Sequence, residues 1–242
     1  MTISLVIPAY NEEKRIIPFL KSIKEELERS PQLLSEIIVV NDGSTDSTAK
    51  VVSQFADIMP SLTLLDLKEN QGKGGAVQAG VMKSTGDAIV FMDADGATPA
   101  SELPKMAKEL AQSDIAIGNR WMPGANTERH SFLRQFSGWL YRNYMALFGL
   151  GAIDTMCGFK GYKNEVAKDL FSDLIEKRWL FDTEIAYKAV KRGYSIKNIP
   201  IEWESKDGSK LDTVTLIKSA LAIFPLLQKI NTLEAKRLEV TQ

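Results

Sequence analysis

The chain has 242 residues, enough for one large domain, and its 44% hydrophobic content can fill a core. Thirty basic residues against thirty-one acidic ones exclude a general electrostatic pull towards nucleic acid. The single cysteine, Cys157, excludes an internal disulfide, is too isolated for a zinc site, and fits a small packing residue in a reducing compartment.

Ile3 to Ile7 is an apolar run that reads as a strand, broken by Pro8-Ala9-Tyr10-Asn11-Glu12-Glu13. No basic stretch precedes it, and Pro8 and Glu12 cut it short, so no signal peptide is expected. Ile16, Phe19, Leu20, Ile23 and Leu27 then recur at helical spacing. Glu36 to Val40 repeats the strand pattern and ends in Asn41-Asp42-Gly43-Ser44-Thr45-Asp46, where glycine permits a sharp turn and Ser or Thr can cap the next helix. Leu62 to Leu67 leads into Asn70-Gln71-Gly72-Lys73-Gly74-Gly75 and a helix from Ala76 to Lys83. Gly86 precedes a last buried strand, Ala88 to Met92, that ends in Asp93-Ala94-Asp95. Strands alternating with helices predict an α/β fold, a mostly parallel sheet with right-handed crossovers and its functional loops on one edge. Two carboxylates at that edge offer hard oxygen ligands for a divalent cation carrying a nucleotide diphosphate. The alternative is that they open the turn before Gly96.

The second half shows no repeat, low-complexity tract or obvious linker, and Trp121 to Arg129 reads as a polar loop within the domain. Near the carboxyl end the longest charge-free apolar stretch, Ser219 to Gln228, is far short of the roughly 20 residues that span a bilayer. Val214, Ile217, Leu221 and Phe224 recur at helical spacing, widened by Ile223, Leu226 and Leu227, with Lys218, Lys229, Lys236 and Arg237 nearby. Such a helix can lie against anionic headgroups as a peripheral membrane contact. It can equally pack on the sheet or on a second subunit, bent at Pro225. The division expected is a domain over 1–211 and an amphipathic helical tail over 212–242. The sequence sets no oligomeric state.

Val6-Ile7-Pro8-Ala9-Tyr10-Asn11-Glu12, Asn41-Asp42-Gly43-Ser44, Asn70-Gln71-Gly72-Lys73-Gly74 and Asp93-Ala94-Asp95, in that order and spacing, resemble the family 2 glycosyltransferases of GT-A fold. Gly118-Asn119-Arg120, Asp154-Thr155-Met156-Cys157-Gly158-Phe159-Lys160, Arg178-Trp179-Leu180-Phe181-Asp182 and Gly208-Ser209-Lys210-Leu211 narrow the likeness to the dolichyl-phosphate glucosyltransferases, with dolichol-phosphate mannose synthases as more distant relatives. The resemblance runs to about Leu211. It implies an inverting, metal-dependent hexosyltransferase that uses a nucleotide sugar and a polyprenyl or dolichyl phosphate acceptor, on the cytoplasmic face of a membrane. Two departures from the mannose synthases point away from GDP-mannose and towards UDP-glucose. Gly96-Ala97-Thr98 lacks their glutamine two residues after the second aspartate, and Trp203-Glu204-Ser205-Lys206 lacks their arginine before the Ser-Lys pair. GDP-mannose and a glycan hydroxyl acceptor remain the alternative substrates, and a non-catalytic nucleotide-sugar-binding subunit is the alternative class.

Carried onto this chain, the resemblance makes Asp95 the ligand of Mg2+ or Mn2+, with Asp93 on the ribose or supporting the metal. Asp42 meets the base, Pro8, Tyr10 and Glu12 line the nucleotide pocket, and Lys73 reaches the diphosphate unless it is an ordinary solvated lysine. Lys210 closes over the diphosphate or sits in a surface turn. Arg120 to Arg142 holds four arginines against one acid, Glu128, a field that suits a phosphate monoester. Arg120 and Arg134 match the positions that hold acceptor phosphate, and arginine's planar fork suits that task. Phe132, Phe136, Trp139, Leu140 and Tyr144 either shelter an isoprenoid chain or belong to the core. Asp182 orients or deprotonates the acceptor, or else caps a helix. Glu184, two residues on, faces elsewhere.

Overall fold

The computed structural model describes residues 1–128, 132–206 and 213–241, with side chains over 1–128, 138–206 and 221–239. The first half alternates as expected: β1 (Ile3–Ala9), α1 (Ile16–Arg29), β2 (Leu34–Asp42), α2 (Thr48–Ala56), β3 (Leu62–Leu67), α3 (Lys73–Lys83) and β4 (Ala88–Met92). Helix α3 begins a turn earlier than its apolar residues show, because glycines 74 and 75 carry no side chain to mark the period. After α4 (Leu103–Leu110) come β5 (Ile115–Asn119), β6 (Asn126–Glu128), α5 (Phe132–Ala146), β7 (Phe159–Lys163), α6 (Asn164–Ser172), α7 (Phe181–Lys191), β8 (Ile196–Pro200), β9 (Glu202–Glu204) and α8 (Thr213–Thr241).

Seven strands form one sheet in the order β3-β2-β1-β4-β7-β5-β8. All pairs are parallel except those of β7, which runs antiparallel to both β4 and β5. Helices cover both faces, so alternate residues of one strand enter different cores. Val6, Ile38, Val40 and Phe91 join the core built with α3, α5, α6, α7 and α8. Leu5, Ile7, Ile37, Val39 and Val90 join the core built with α1, α2 and α4.

Trp121 to Arg129 is not wholly loop. Residues 126–128 form β6, which pairs in parallel with β9, and the Glu204 amide donates to the Ala97 carbonyl at 2.9 Å. This small sheet ties the segment to the loop that follows Asp95. Helix α8 buries Ile223, Leu226, Leu227 and Ile230 in the first core, while Leu221 and Phe224 stay exposed. Arg192 pairs with Glu234 and Asp169 and Arg237 with Asp169, each between 2.5 and 2.8 Å, so α8 is fixed to α6 and the end of α7. Packing on the domain therefore accounts for three of the apolar residues expected on one amphipathic face, and the side chains of Val214, Ile217 and Lys218 lie outside the described residues. Among the described residues no helix is long and apolar enough to cross a membrane.

Helix α3 lies so close to the sheet that a Cβ on Gly80 would sit 2.3 Å from Val6 Cγ1 and 3.1 Å from Val40 Cγ2. Helix propensity alone favours alanine over glycine by about 1 kcal/mol, but overpacking a rigid core costs about 1–3 kcal/mol. Gly80→Ala is expected to lower stability in urea denaturation. A gain would show that α3 can move away from the sheet.

Candidate functional site

The site lies where β1, β2 and β4 end. Asp93 continues the β4–β7 ladder by one residue, its amide donating to the Gly158 carbonyl at 3.0 Å. A Cβ on Gly158 would lie 2.0 Å from Asp93 Oδ2, so this glycine makes room for the carboxylate. Asp95 Oδ1 accepts the Ala97 amide at 3.0 Å across a turn in which Gly96 has φ +67°. Asp95 thus braces the turn and faces the site at once. Burial pushes its carboxyl up and the neighbouring Asp93 adds to the shift, against the Ala97 amide, Arg15 and Lys73.

Lys73, the first residue of α3, places Nζ 2.6 Å from Asp93 Oδ1 and 5.9 Å from the Trp179 ring centre. It is not an ordinary solvated lysine, since its side chain is only 19% exposed. Burial works against its charge, but Asp93, Asp182 and Asp95 outweigh that and hold the ammonium above its usual pKa. The Asp93 carboxylate therefore already takes a cation. Among the described residues no cluster of three or more His, Cys, Asp or Glu side chains could cage a metal. Two carboxylates fit an ion that keeps its remaining positions for water and phosphate oxygens, as Mg2+ and Mn2+ do.

The loops that follow β1 and β2 are stitched to one another. Asn11, at φ 54°, accepts the Thr45 amide on Oδ1 at 2.8 Å, and the Glu12 amide donates to Thr48 Oγ1 at 2.8 Å. Pro8 is half-buried in β1 beside Val40, and Tyr10 is half-buried in the following loop. The Glu12 carboxylate is engaged by Arg15 through two hydrogen bonds of 2.6 Å. Arg15 itself feels Asp95 and Asp93, and the sequence reading missed it because it follows the recognisable motif as one more charged residue at a helix start. Asp42 is buried, with Oδ1 accepting the Gln71 amide at 2.7 Å and Oδ2 the Gly72 amide at 2.9 Å. Burial raises its pKa, partly opposed by those amides and Arg178. The glycine-rich run is built for close approach: a Cβ would lie 2.5 Å from the Lys177 carbonyl at Gly72 and 2.6 Å from Phe181 Cβ at Gly74.

On the other side, Arg120 forks onto Asp154, with Nε–Oδ2 and Nη2–Oδ1 both 2.8 Å, and its guanidinium lies 5.0 Å from the Trp203 ring centre. Burial raises the Asp154 carboxyl, but Arg120 outweighs it and holds the group below its usual range. The Arg120 charge is thus met by an acid outside the stretch in which the arginine excess was counted. Arg142 donates to the Gly151 carbonyl, Trp139 and Leu140 are exposed, and Tyr144 packs against the core. The side chains of Arg134, Phe132 and Phe136, and all of Arg129 and Lys210, lie outside the described residues.

Asp182 is in the first turn of α7 and does not cap it; the residue at the cap is Leu180. Its Oδ1 accepts Lys160 Nζ at 2.7 Å. Burial pushes the carboxyl up, while Lys160 and then Lys73 oppose the shift. Lys160 was assigned no role from the sequence, although a lysine inside the buried strand Phe159–Lys163 needs an anionic partner. Glu184 does face elsewhere: its carboxylate accepts the Ile175 and Glu176 amides at 2.9 and 2.7 Å and pairs with Lys188.

A mostly parallel sheet with one reversed strand, and an acidic pair at the carboxyl end of β4, define a glycosyltransferase of GT-A fold. Residues 4–171 match the model of glycosyl transferase family 2. A dolichyl-phosphate beta-glucosyltransferase of Trichomonas vaginalis is 38% identical over 230 residues, covering 90% of this chain and 68% of the relative. The human dolichyl-phosphate beta-glucosyltransferase is 35% identical over 232 residues, covering 86% and 69%. The chain belongs to glycosyl transferase family 2 and, within it, to the family of the dolichyl-phosphate beta-glucosyltransferases. Glucosyl-3-phosphoglycerate synthase of Mycobacterium tuberculosis, solved with Mn2+, uridine diphosphate and phosphoglyceric acid, shares the fold at TM-score 0.70 and 18% identity, over 95% of this chain and 78% of that one.

Gly158 gives the site a test. Gly158→Ala forces the Asp93 carboxylate off its seat and parts it from Lys73, and is expected to lower glycosyl transfer at least about tenfold, about 1.4 kcal/mol in the barrier. Initial rates beside a thermal melt check this; full activity in the folded variant would show that Asp93 does not need its present position.

Proposed function

We propose that the protein transfers glucose from UDP-glucose to a polyprenyl phosphate, such as a dolichyl phosphate, with inversion and with a divalent cation, from the cytoplasmic face of a membrane. The observation that carries this reading is the acidic pair at the end of β4, with Asp93 already paired with Lys73, in a chain 38% identical to a relative named for dolichyl-phosphate glucosylation. Asp95, with Asp93, would hold Mg2+ or Mn2+. The ion, when bound, supplies a Lewis acid for the charge that develops on the leaving diphosphate.

The chain's own residues do the rest. Pro8, Tyr10, Glu12 and Asp42 border the nucleotide, with Asp42 both facing the base and fixing the loop that presents Lys73. Lys73 adds a positive charge to the diphosphate, joined by Lys210 from its own segment. Arg120 and Arg134 attract the acceptor phosphate, Arg120 with its plane set by Asp154. One phosphate oxygen forms the bond to the sugar's anomeric carbon as the bond to the diphosphate breaks on the opposite side, and UDP leaves. A phosphate monoester has a second pKa of about 6 and is largely dianionic at neutral pH, so no strong base is required. Asp182 accepts Lys160 Nζ at 2.7 Å, a contact that fixes the orientation of its carboxylate. Asp182 orients the acceptor.

The direct experiment offers labelled UDP-glucose, GDP-mannose and related donors with polyprenyl phosphate. Lipid-soluble glucosyl product from UDP-glucose is expected, and transfer only to water-soluble glycans would overturn the reading. Asp95→Asn is expected to lower transfer at least about 100-fold, in line with the several kcal/mol a Lewis acid contributes, with an unchanged melting temperature. Chelation of metal should silence the wild type reversibly. Normal turnover by Asp95→Asn would remove it as a ligand.

Asp182→Asn distinguishes a phosphate from a hydroxyl nucleophile. With a phosphate dianion the loss should stay below the range of about 10²- to 10⁴-fold typical of a missing general base. Rates of wild type and variant should fall together as pH drops through the acceptor's second ionisation near about 6. A collapse of the variant at every pH, with donor binding intact, would make Asp182 an essential base.

A further inference from the structure

Lys160 is 1% exposed, and its ammonium is fully engaged. It sits on β7 opposite Phe91 and Ile117, with Nζ 5.3 Å from the Phe91 ring centre. Nζ donates to Asp182 Oδ1 at 2.7 Å, to the Thr155 carbonyl at 3.3 Å and to the Cys157 carbonyl. Three donors meet three acceptors, which satisfies an ammonium completely. Two of the acceptors belong to the segment that begins at Asp154, the acid that fixes the Arg120 guanidinium. A continuous path runs from Asp182 through Lys160 and the 155–157 backbone to Asp154 and Arg120. Its two ends, α7 and the close of β5, are otherwise far apart in the chain.

We propose that Lys160 is a positioning residue for the acceptor: it locks the Asp182 carboxylate to the 154–157 segment, so that Asp182 and Arg120 face the acceptor phosphate as one preformed unit. This rests on the reading of Asp182 and Arg120 as acceptor-side groups. Such preorganisation is what holds a nucleophile near attack geometry, and small displacements are expensive there. Lys160 does not touch the nucleotide-side loops, which are tied together through Asn11, Glu12, Thr45 and Thr48. Its loss should therefore be felt by the acceptor and not by the donor. Removing one member of a buried ion pair is worse than removing both, because the survivor is left charged and unpaired.

The test is a double-variant cycle of Lys160→Met and Asp182→Asn, with kcat and acceptor KM measured for glucosyl transfer and the Kd for UDP measured with Mn2+. Lys160→Met is expected to raise acceptor KM at least fivefold and lower kcat about tenfold, while Kd for UDP stays within twofold. Adding Asp182→Asn should restore part of that loss, so that the double variant transfers faster than Lys160→Met alone. If Lys160→Met does not fold, the double variant, which leaves no buried charge unpaired, carries the test through the same split between acceptor KM and UDP affinity. Parallel loss of UDP affinity and melting temperature, or strictly additive effects, would reduce Lys160 to a structural role and overturn the proposal. Wild-type transfer decides the acceptor class separately. If another acceptor proves to be the substrate, the same cycle is run with it, so failure of the acceptor reading and failure of the Lys160 role are distinct results.

Discussion

Carboxylates gathered beside the end of β4 have to be balanced by positive charge. Asp93 and Asp95 follow β4 and Asp182 lies in the first turn of α7, and Asp93 works against the charge of both Asp95 and Asp182; Asp154, before β7, is a fourth. Each of three has a fixed basic partner: Lys73 for Asp93, Arg120 for Asp154 and Lys160 for Asp182. Asp95 has a backbone amide and the nearby charges of Arg15 and Lys73 in place of a fixed basic partner, and burial and Asp93 both raise its pKa. The pairing leaves Asp95 without a fixed cation of its own, whereas Asp154 and Asp182 are already compensated. On the reading proposed above, a cation bound together with a diphosphate suits Asp95, and Asp154 and Asp182 present no unpaired carboxylate to repel an anionic nucleophile.

Backbone proximity sets the positions of these charges. Gly158 lets β7 pass beside Asp93, Gly80 seats α3 on β1, and Gly72 and Gly74 let the start of α3 touch the segment before α7. The Gly75 amide completes that contact by donating to the Lys177 carbonyl at 3.0 Å. Lys73 and Asp182 are thereby carried on elements in direct contact.

Much of the fold was legible in the sequence because the first four strands are short, largely apolar and punctuated by Gly, Asn and Asp, and β1, β2 and β4 are buried on both faces. The reversed strand β7 was not legible as such: Phe159 to Lys163 carries Lys160 and Gly161, a pattern that reads as polar loop until the partner carboxylate is known. Strands β6 and β9 are three residues each and charged, which hides them from any periodicity. The acidic pair was found from its place after a buried strand, and Lys73, Arg120 and Asp182 were singled out through the family resemblance. The partners Lys160 and Asp154 were not, since they acquire meaning only from neighbours distant in the chain. In α8 the apolar face read from the sequence divides: Ile223, Leu226 and Leu227 pack on the domain, one of the two alternatives, while Leu221 and Phe224 are exposed.

The claim that this edge holds a divalent cation jointly with a nucleotide diphosphate is open to one direct measurement: titration of the protein with Mn2+, read by the electron paramagnetic resonance of the free ion, with and without UDP. With only two carboxylates, one of them occupied by Lys73, Mn2+ alone should bind weakly, and UDP should tighten binding at least tenfold in wild type but not in Asp95→Asn. Equal Mn2+ affinity with and without UDP, or tight binding that survives Asp95→Asn, would contradict it.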